Sequence, residues 1–296
     1  MNIDSLKMFC LVIEEGSISQ AARLNNVSQP AVTKQIHQME NIYGTLLFDR
    51  INGKLKLTEA GHALYPYAKE IVKEFSRSKE TVQQVIGNNE QKLSLGASLT
   101  IGEYLLPELL GKFKTEYPNM NLLLNIGNTP SILEKLENDV IDIALVEGAV
   151  DNNSFQTIKF ADDELIFICP YNHPWKQRMN IELQDLIKEH LIWRESTSGT
   201  RVIIEKALER YGVLDKIESY MELGSTQAIK SAVEAGLGIS ILPRITVAKE
   251  LKHNELCEVK IQDFKLDRDL WLVLKPTRFS RDNVEKFKNF ILSTDG

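Results

Sequence analysis

Polar side chains that can hydrogen-bond to DNA bases are concentrated around one proline. Ser28 and Gln29 precede Pro30, and Thr33 and Lys34 follow it closely. Glutamine can contact adenine through two hydrogen bonds, lysine can bind guanine or a phosphate, and threonine can reach either kind of group. These residue types predict a segment that contacts DNA, provided that an exposed helix presents it.

The residues around this segment predict such a helix. Ser28 is a favourable N-cap, and Pro30 fits the first helical turn, where a missing N–H group is harmless. Val32, Ile36 and Met39 then share one apolar face, and the other faces are largely polar. The helix is therefore predicted to pack inward on one side and to expose its polar N-terminal residues.

Two helices before this one complete a helix-turn-helix. The spacing of Leu6, Phe9, Cys10 and Ile13 predicts an amphipathic helix, and a shorter capped helix is predicted over residues 18–24. The last helix of such a motif enters the major groove of DNA. The alternative is a three-helix packing module whose polar face is only solvated.

A predicted hairpin adds basic residues next to this motif. Asn52-Gly53 is a strong turn signal, and the residues after it alternate between polar and apolar as in a strand. Arg50, Lys54 and Lys56 flank the turn, so they are predicted to lie near DNA phosphates. The hairpin would form the wing of a winged helix-turn-helix.

Residues 6–61 resemble the N-terminal domain of LysR-type transcriptional regulators. The matching residues are Phe9, Gly16, Ser17, 21–24, 27–32, Ile36, Glu40, 46–48, Arg50 and 57–61. In that family the Ser-Gln-Pro-Ala segment opens the recognition helix, and an arginine near the wing contacts DNA. The candidate DNA contacts are therefore Ser28, Gln29, Pro30, Thr33, Lys34, Arg50 and Lys54. The wing has fewer arginines than is usual in the family, which predicts a modest and salt-sensitive affinity for phosphates.

A long helix is predicted over residues 59–86. Its seam positions are four and three residues apart, as in a coiled coil: Leu64, Ala68, Ile71, Phe75, Ser78, Val82 and Val85. Such an apolar stripe needs a partner helix to cover it, so a homodimer or homotetramer is predicted, and the resemblance to the family implies the same. The alternative is that the helix packs on its own chain. Pro66 predicts a kink or a late helix start, and Gly87-Asn88-Asn89 predicts a hinge.

Residues 90–296 alternate between predicted strands and helices. This alternation predicts a parallel sheet with right-handed crossovers, arranged as two α/β lobes around a ligand cleft. The pattern resembles periplasmic solute-binding proteins and the effector domain of LysR-type regulators, which implies two chain crossings, near 161–163 and 264–268. The predicted domains are a winged helix-turn-helix at 1–58, a linker helix and hinge at 59–89, and an effector-binding domain at 90–296, with its first lobe at 90–161 and 268–296 and its second at 162–267.

Hydroxyl and amide side chains occur at four junctions between a predicted strand and a predicted helix. Helix starts present free N–H groups, so such junctions favour an anion, although hydroxyl groups cap helices in many proteins without binding a ligand. The candidate effector-binding residues are Ser98, Thr100, Asn128, Thr129, Ser196, Ser198, Thr200, Arg201 and Thr226. Residues 198–201 also resemble an SGTR motif of LysR-type regulators of sulfur and carbon assimilation, whose effectors are small anions or phosphorylated metabolites.

Charge and composition disfavour other classes of protein. The net charge of −6 falls entirely beyond residue 90, because acidic and basic residues are equal in number before it. No serine nucleophile motif, HExxH motif or P-loop occurs, and the five histidines lack the spacing of metal ligands. We therefore predict no catalysis, metal or cofactor. Three separated cysteines, no long apolar span and no basic signal segment predict a cytoplasmic protein without a membrane partner.

Together these features predict a ligand-responsive, sequence-specific transcriptional regulator of LysR type. Its expected partners are double-stranded operator DNA, a small and anionic effector, further copies of itself and, for an activator, RNA polymerase. Two alternatives stay open: a cytoplasmic metabolite-binding protein without a regulatory DNA target, and an enzyme with an accessory DNA-binding domain.

Overall fold

The computed structural model describes residues 2–51, 54–85, 91–148, 150, 154–178, 181–277 and 281–293, apart from the side chains of residues 51, 54, 80, 81, 83–85 and 91. The chain divides into two compact units, residues 1–89 and 90–296. The predicted turn at Asn52-Gly53 and the predicted hinge at 87–89 lie outside the described residues.

The first unit contains three helices, a two-stranded hairpin and a long helix. Their bounds are Ile3–Glu15 (α1), Ile18–Leu24 (α2), Gln29–Tyr43 (α3), Phe48–Ile51 (β1), Lys54–Leu57 (β2) and Glu59–Val85 (α4). Ser17 and Ser28 cap α2 and α3 by accepting hydrogen bonds from backbone N–H groups of the first turn. Gly16 ends α1 in the left-handed conformation, at φ 61°. The predicted winged helix-turn-helix is confirmed.

The long helix α4 is continuous through Pro66, so the predicted late start is wrong. Leu64 and Ala68 pack on the core of the first unit, which also contains the buried face of α1. The N-terminal part of the predicted seam is therefore covered by the same chain. By contrast, Ile71 and Val82 are 46% and 60% exposed, so the seam remains open further along the helix.

The second unit alternates between strands and helices. The strands are Gln91–Ser98 (β3), Met120–Gly127 (β4), Ile143–Glu147 (β5), Gln156–Pro170 (β6), Leu191–Arg194 (β7), Tyr220–Leu223 (β8), Ser240–Pro243 (β9), Leu256–Val259 (β10) and Leu266–Leu274 (β11). The α-helices are Leu106–Glu116 (α5), Thr129–Glu137 (α6), Gly199–Arg210 (α7), Thr226–Glu234 (α8), Arg244–Lys252 (α9) and Asp282–Ser293 (α10). A π-helical turn at Ile101–Leu105 precedes α5, and short 3₁₀ segments occur at Pro174–Gln177, Leu183–Lys188 and Leu214–Lys216. α9 and β10 are not predicted from the sequence.

The main sheet of the second unit is mixed rather than parallel. Its strand order is β10-β6-β11-β5-β3-β4, and β9 also pairs with β6. β3 is parallel to β4 and β5, whereas β11 is antiparallel to β5 and β6. The prediction of a parallel sheet is therefore wrong for β6 and β11, because these two strands carry the chain between the lobes in opposite directions.

The single strand β6 belongs to both lobes. Residues 156–165 pair with β11, and residues 165–170 pair with β9 and β10. Each lobe has its own apolar core, one between the sheet, α5 and α10, and the other around Trp175, Trp193 and the start of β9. The expected crossing ranges, 161–163 and 264–268, fall within β6 and around the start of β11. Among the helices of the described residues, none has the length and apolarity needed to cross a membrane.

Candidate functional site

The start of α3 presents most of the predicted DNA contacts to solvent. Gln29, Pro30 and Lys34 are exposed, and Thr33 is half-buried. The side-chain oxygen of Gln29 accepts a hydrogen bond from the Ser19 hydroxyl at 2.9 Å. This bond orients the Gln29 amide on the exposed face of the helix. The role of Ser19 has no signal in the sequence, because only the packing of α2 against α3 brings the two side chains together.

Two predicted DNA contacts also stabilise α3 itself. The Ser28 hydroxyl oxygen accepts a hydrogen bond from the Ala31 N–H group at 3.4 Å, and the Thr33 hydroxyl donates to the Gln29 carbonyl oxygen at 3.1 Å. Both hydroxyl groups therefore already have a partner inside the helix. Their contact with DNA remains a prediction.

A buried carboxylate joins α3 to the wing. Glu40 Oε1 accepts hydrogen bonds from the backbone N–H groups of Leu47 at 2.9 Å and Phe48 at 3.4 Å. These bonds anchor the first residues of the hairpin to the recognition helix. Arg50 is exposed on β1, whereas the side chain of Lys54 lies outside the described part of the structure.

Gly61 allows α4 to start close to the wing. A β-carbon at Gly61 would lie 2.2 Å from the Leu47 carbonyl oxygen, which no side chain could occupy without moving the backbone. The Thr58 hydroxyl accepts from the Gly61 N–H group at 3.1 Å and donates to the Leu46 carbonyl oxygen at 2.7 Å. The same segment therefore ends the wing and starts the linker helix.

In the second unit, loops from the two lobes meet near the carboxyl ends of β3, β4 and β5. The Asn128 amide, just before α6, donates a hydrogen bond to Thr197 Oγ1 at 3.2 Å. Thr200, in the first turn of α7, donates from its hydroxyl group to Glu147 Oε1 at 3.4 Å. These contacts bring the predicted residues Asn128 and Thr200 to one cleft between the lobes.

A buried group of charges lies beside this cleft. Arg268 on β11 donates to Asp163 Oδ2 on β6 at 2.8 and 2.6 Å, and to Thr200 Oγ1 at 2.8 Å. Its Nη1 atom is also 3.7 Å from Glu147 Oε1. Burial raises the pKa of Asp163 above its ordinary value, and Arg268 offsets this effect only in part. The Asp163 side chain is therefore buried against Arg268.

Three buried polar atoms near the cleft have no hydrogen-bond partner within the described residues. They are Thr100 Oγ1, Thr129 Oγ1 and Glu147 Oε2. Ser98 differs, because its hydroxyl oxygen accepts a hydrogen bond from the Ile101 N–H group at 3.5 Å. An unsatisfied buried polar group costs about 1–3 kcal/mol, so a ligand that supplies partners would be stabilised here.

The N-terminus of α7 is buried but has no side-chain cap. Ser198 occupies the N-cap position, is 3% exposed and makes no capping hydrogen bond. The corresponding residues of α6 and α8, Asn128 and Ser225, do cap their helices. The first N–H groups of α7 therefore lack the side-chain acceptor that usually satisfies one of them.

Two protein-family models match almost the whole chain. The model described as "Bacterial regulatory helix-turn-helix protein, lysR family" matches residues 3–62, and the model "LysR substrate binding domain" matches residues 87–295. The chain belongs to the LysR family of transcriptional regulators. It is a transcriptional regulator that binds operator DNA and has an effector-binding domain.

Relatives along the full length support this assignment. A "Probable RuBisCO transcriptional regulator" of Gracilaria tenuistipitata var. liui is 35% identical over 98% of this chain and 96% of its own length. The "HTH-type transcriptional regulator CysL" of Bacillus subtilis is 34% identical over 99% of this chain and 97% of its own. The structure of the CcmR regulatory domain of Synechocystis PCC6803 in complex with 2-PG is 28% identical, with a TM-score of 0.63, over 69% of this chain and 97% of that one.

Within the LysR effector domain, the structure argues against the predicted role of Arg201. Arg201 donates to Glu205 Oε1 and to Glu222 Oε2, both at 2.6 Å, and to the Arg194 carbonyl oxygen at 2.8 Å. Its charge is therefore already balanced by two carboxylates. Arg201 therefore does not provide a free cation beside the proposed anion site.

Two other predicted effector residues of the LysR domain are placed less favourably. The Thr226 hydroxyl accepts a hydrogen bond from Arg194 Nη1 at 3.2 Å, and Arg194 also donates to both carboxylate oxygens of Glu195. Thr226 is thus joined to a paired guanidinium group of the second lobe. Ser196 is exposed in the loop before α7. Among the described residues, no group of three or more His, Cys, Asp or Glu side chains is arranged to hold a metal ion.

Proposed function

We propose that this LysR-type regulator changes transcription when a small anionic metabolite binds between its two lobes. The observation that carries the proposal is the buried and uncapped N-terminus of α7, a helix of 12 residues. Such an end combines unpaired N–H groups with the positive end of the helix dipole, and both favour an anion. The effector would shift the lobes by binding one of their arrangements more tightly than another.

The proposed effector contacts are Ser98, Thr100, Asn128, Thr129, Ser196, Ser198 and Thr200. Thr100 and Thr129 support the proposal because their buried hydroxyl groups lack partners among the described residues. The similarity to the CcmR domain also supports it, since that domain is described in complex with 2-PG, a small anionic metabolite. No cofactor and no catalytic step are assigned to this chain.

The proposed DNA contacts are Ser28, Gln29, Pro30, Thr33, Lys34, Arg50 and Lys54. The exposed positions of Gln29 and Lys34 at the start of α3 support a role for these side chains in recognising base edges in the major groove. We further propose that the chain acts in the cytoplasm as a homodimer or homotetramer, because the exposed apolar stripe of α4 needs a second helix to cover it.

A selection experiment tests sequence-specific DNA binding by the full chain. Duplexes bound from a randomised library should converge on one motif for the wild type at fixed salt. Gln29→Ala should relax the preference at one base pair of each half-site by about 5- to 150-fold, because one bidentate contact is worth about 1–3 kcal/mol of discrimination.

The matched control is Gln38→Ala, which removes an exposed glutamine further along α3. This variant should keep the wild-type motif. Absence of any enriched motif for the wild type would contradict the proposed operator recognition. An unchanged motif for Gln29→Ala would refute the role of that residue alone.

A further inference from the structure

We propose that the effector carries a hydrogen-bond donor, a hydroxyl or ammonium group, beside its anionic group, and that Glu147 selects for this donor. The inference rests on the proposed effector cleft and specifies the chemical class of its ligand. It excludes sulfate, nitrate and simple ionised polycarboxylates, which offer acceptors only.

The first observation is the half-satisfied carboxylate of Glu147. This residue ends β5 and is 5% exposed. Its Oε1 atom accepts from Thr200 and lies near Arg268, whereas Oε2 is buried without a partner among the described residues. A carboxylate oxygen accepts hydrogen bonds and offers none, so only a donor on a ligand or a water molecule can satisfy it.

The second observation is that the Glu147 side chain lies beside the proposed anion site. A β-carbon on Gly199, the first residue of α7, would lie 3.1 Å from Thr129 Oγ1 and 3.5 Å from Glu147 Cγ. The uncapped start of α7 therefore lies directly against the unpaired Thr129 hydroxyl and the side chain of Glu147. A ligand bound to the first N–H groups of α7 would lie next to Glu147.

The third observation is the local balance of charge. Arg268 is shared between Asp163, at 2.6 Å, and Glu147, at 3.7 Å. One guanidinium thus faces two carboxylates, and the next arginines, Arg194 and Arg201, have carboxylate partners of their own. Any anion adds a third negative charge here. A hydroxyl or ammonium group next to the anion would offset part of this cost by donating a hydrogen bond to Glu147, which an anion without a donor cannot do.

The experiment compares acids that share one carbon skeleton. Binding of succinate, malate and aspartate, and of 3-phosphonopropionate and 2-amino-3-phosphonopropionate, is measured by titration calorimetry on the full chain at fixed pH and salt. In at least one set, the members with a hydroxyl or ammonium group should bind the wild type at least about tenfold more tightly than their parent. Glu147→Gln should abolish this preference and strengthen binding of the parent acid.

The matched control is Glu258→Gln, which removes the same charge from the same unit but from a carboxylate that pairs with Arg244. It should keep the wild-type order of affinities. Equal binding of parent and donor-bearing acids to the wild type would overturn the inference, and this outcome does not depend on the folding of any variant. A preference retained in Glu147→Gln would also overturn it. Failure of every acid to bind either protein would overturn the anionic-cleft proposal as well, whereas DNA recognition is judged separately by the selection experiment.

Discussion

At the scale of single residues, the two cysteines Cys169 and Cys257 lie directly opposite each other. They are register partners on the antiparallel strands β6 and β10. Burial, and then the neighbouring Cys257 thiol, raises the pKa of Cys169 to about 12. Burial likewise raises the pKa of Cys10 to about 11. Only the thiolate form is a nucleophile, so Cys10 and Cys169 should be inert in the folded protein.

This chemistry predicts selective alkylation. At pH 8 iodoacetamide should modify Cys169 about 1000-fold more slowly in the folded chain than in urea, because its pKa lies about three units above the ordinary value of 9.0. The half-buried Cys257 should be modified first. Mass spectrometry of the peptides gives the rates. Labelling of Cys169 at the same rate with and without urea would contradict its burial.

At the scale of elements, the apolar seam of α4 has two parts with different partners. Its N-terminal part packs within the first unit through Leu64 and Ala68, whereas Ile71 and Val82 further along the seam are exposed, as is Tyr67 beside it. Exposed apolar positions that recur along one side of a long helix are typical of a helix–helix interface. The local core of the first unit therefore accounts for only part of the stripe.

Charges on the exposed part of the seam should dissociate the oligomer. The double variant Ile71→Glu with Val82→Glu places carboxylates where the second helix would bury them, which is strongly unfavourable. We expect a monomer by analytical ultracentrifugation at concentrations where the wild type is a dimer or larger. Ser76→Glu is the control, because Ser76 is exposed and lies about 140° around the helix from Ile71. A monomeric wild type, or a double variant with the wild-type mass, would contradict the interface.

At the scale of the whole molecule, the buried Arg268 connects the strands on which the chain passes between the lobes. It joins β11 to Asp163 on β6, Glu147 on β5 and Thr200 on α7. Its partner Asp163 is 105 residues away in sequence. One arginine side chain, which is 1% exposed, therefore links segments that are far apart in the sequence.

Removal of this guanidinium should destabilise the second unit. Arg268→Met leaves buried carboxylates without their cation, which costs about 3–5 kcal/mol in urea unfolding. The pKa of Asp163, already raised by burial, would rise further without Arg268. A carboxyl group whose pKa is higher in the folded state loses its stabilising contribution as the pH rises through that pKa. The loss should therefore be larger at pH 8 than at pH 5.

A surface arginine on the same unit provides the control for this experiment. Arg244 pairs with Glu164 and Glu258, but its side chain is 41% exposed. Arg244→Met should cost only about 0–1 kcal/mol, because solvent screens exposed ion pairs. A similar loss for both variants, or a loss at Arg268 that is independent of pH, would argue against the buried charge cluster as the cause.

The sequence by itself determined the elements whose signals are local. Caps at Ser17 and Ser28, the apolar face of α3 and the alternation of β2 act over a few residues, so the winged helix-turn-helix and most elements of the two lobes could be predicted. α9 and β10 escaped prediction because α9 lacks a clear apolar period and follows a strand end at Pro243 directly.

Only the tertiary structure decided which charges and strands meet. β6 exchanges its partners near Leu165, and this exchange is set by β9, β10 and β11, which follow much later in the chain. In the same way, Arg201 has the residue type of an anion ligand, yet Glu205 and Glu222 neutralise it, whereas Arg268 and Glu147 gave no local signal. Spacing along the chain determines which side chains a helix or strand exposes. Register and packing between distant segments determine which partner each charged side chain contacts.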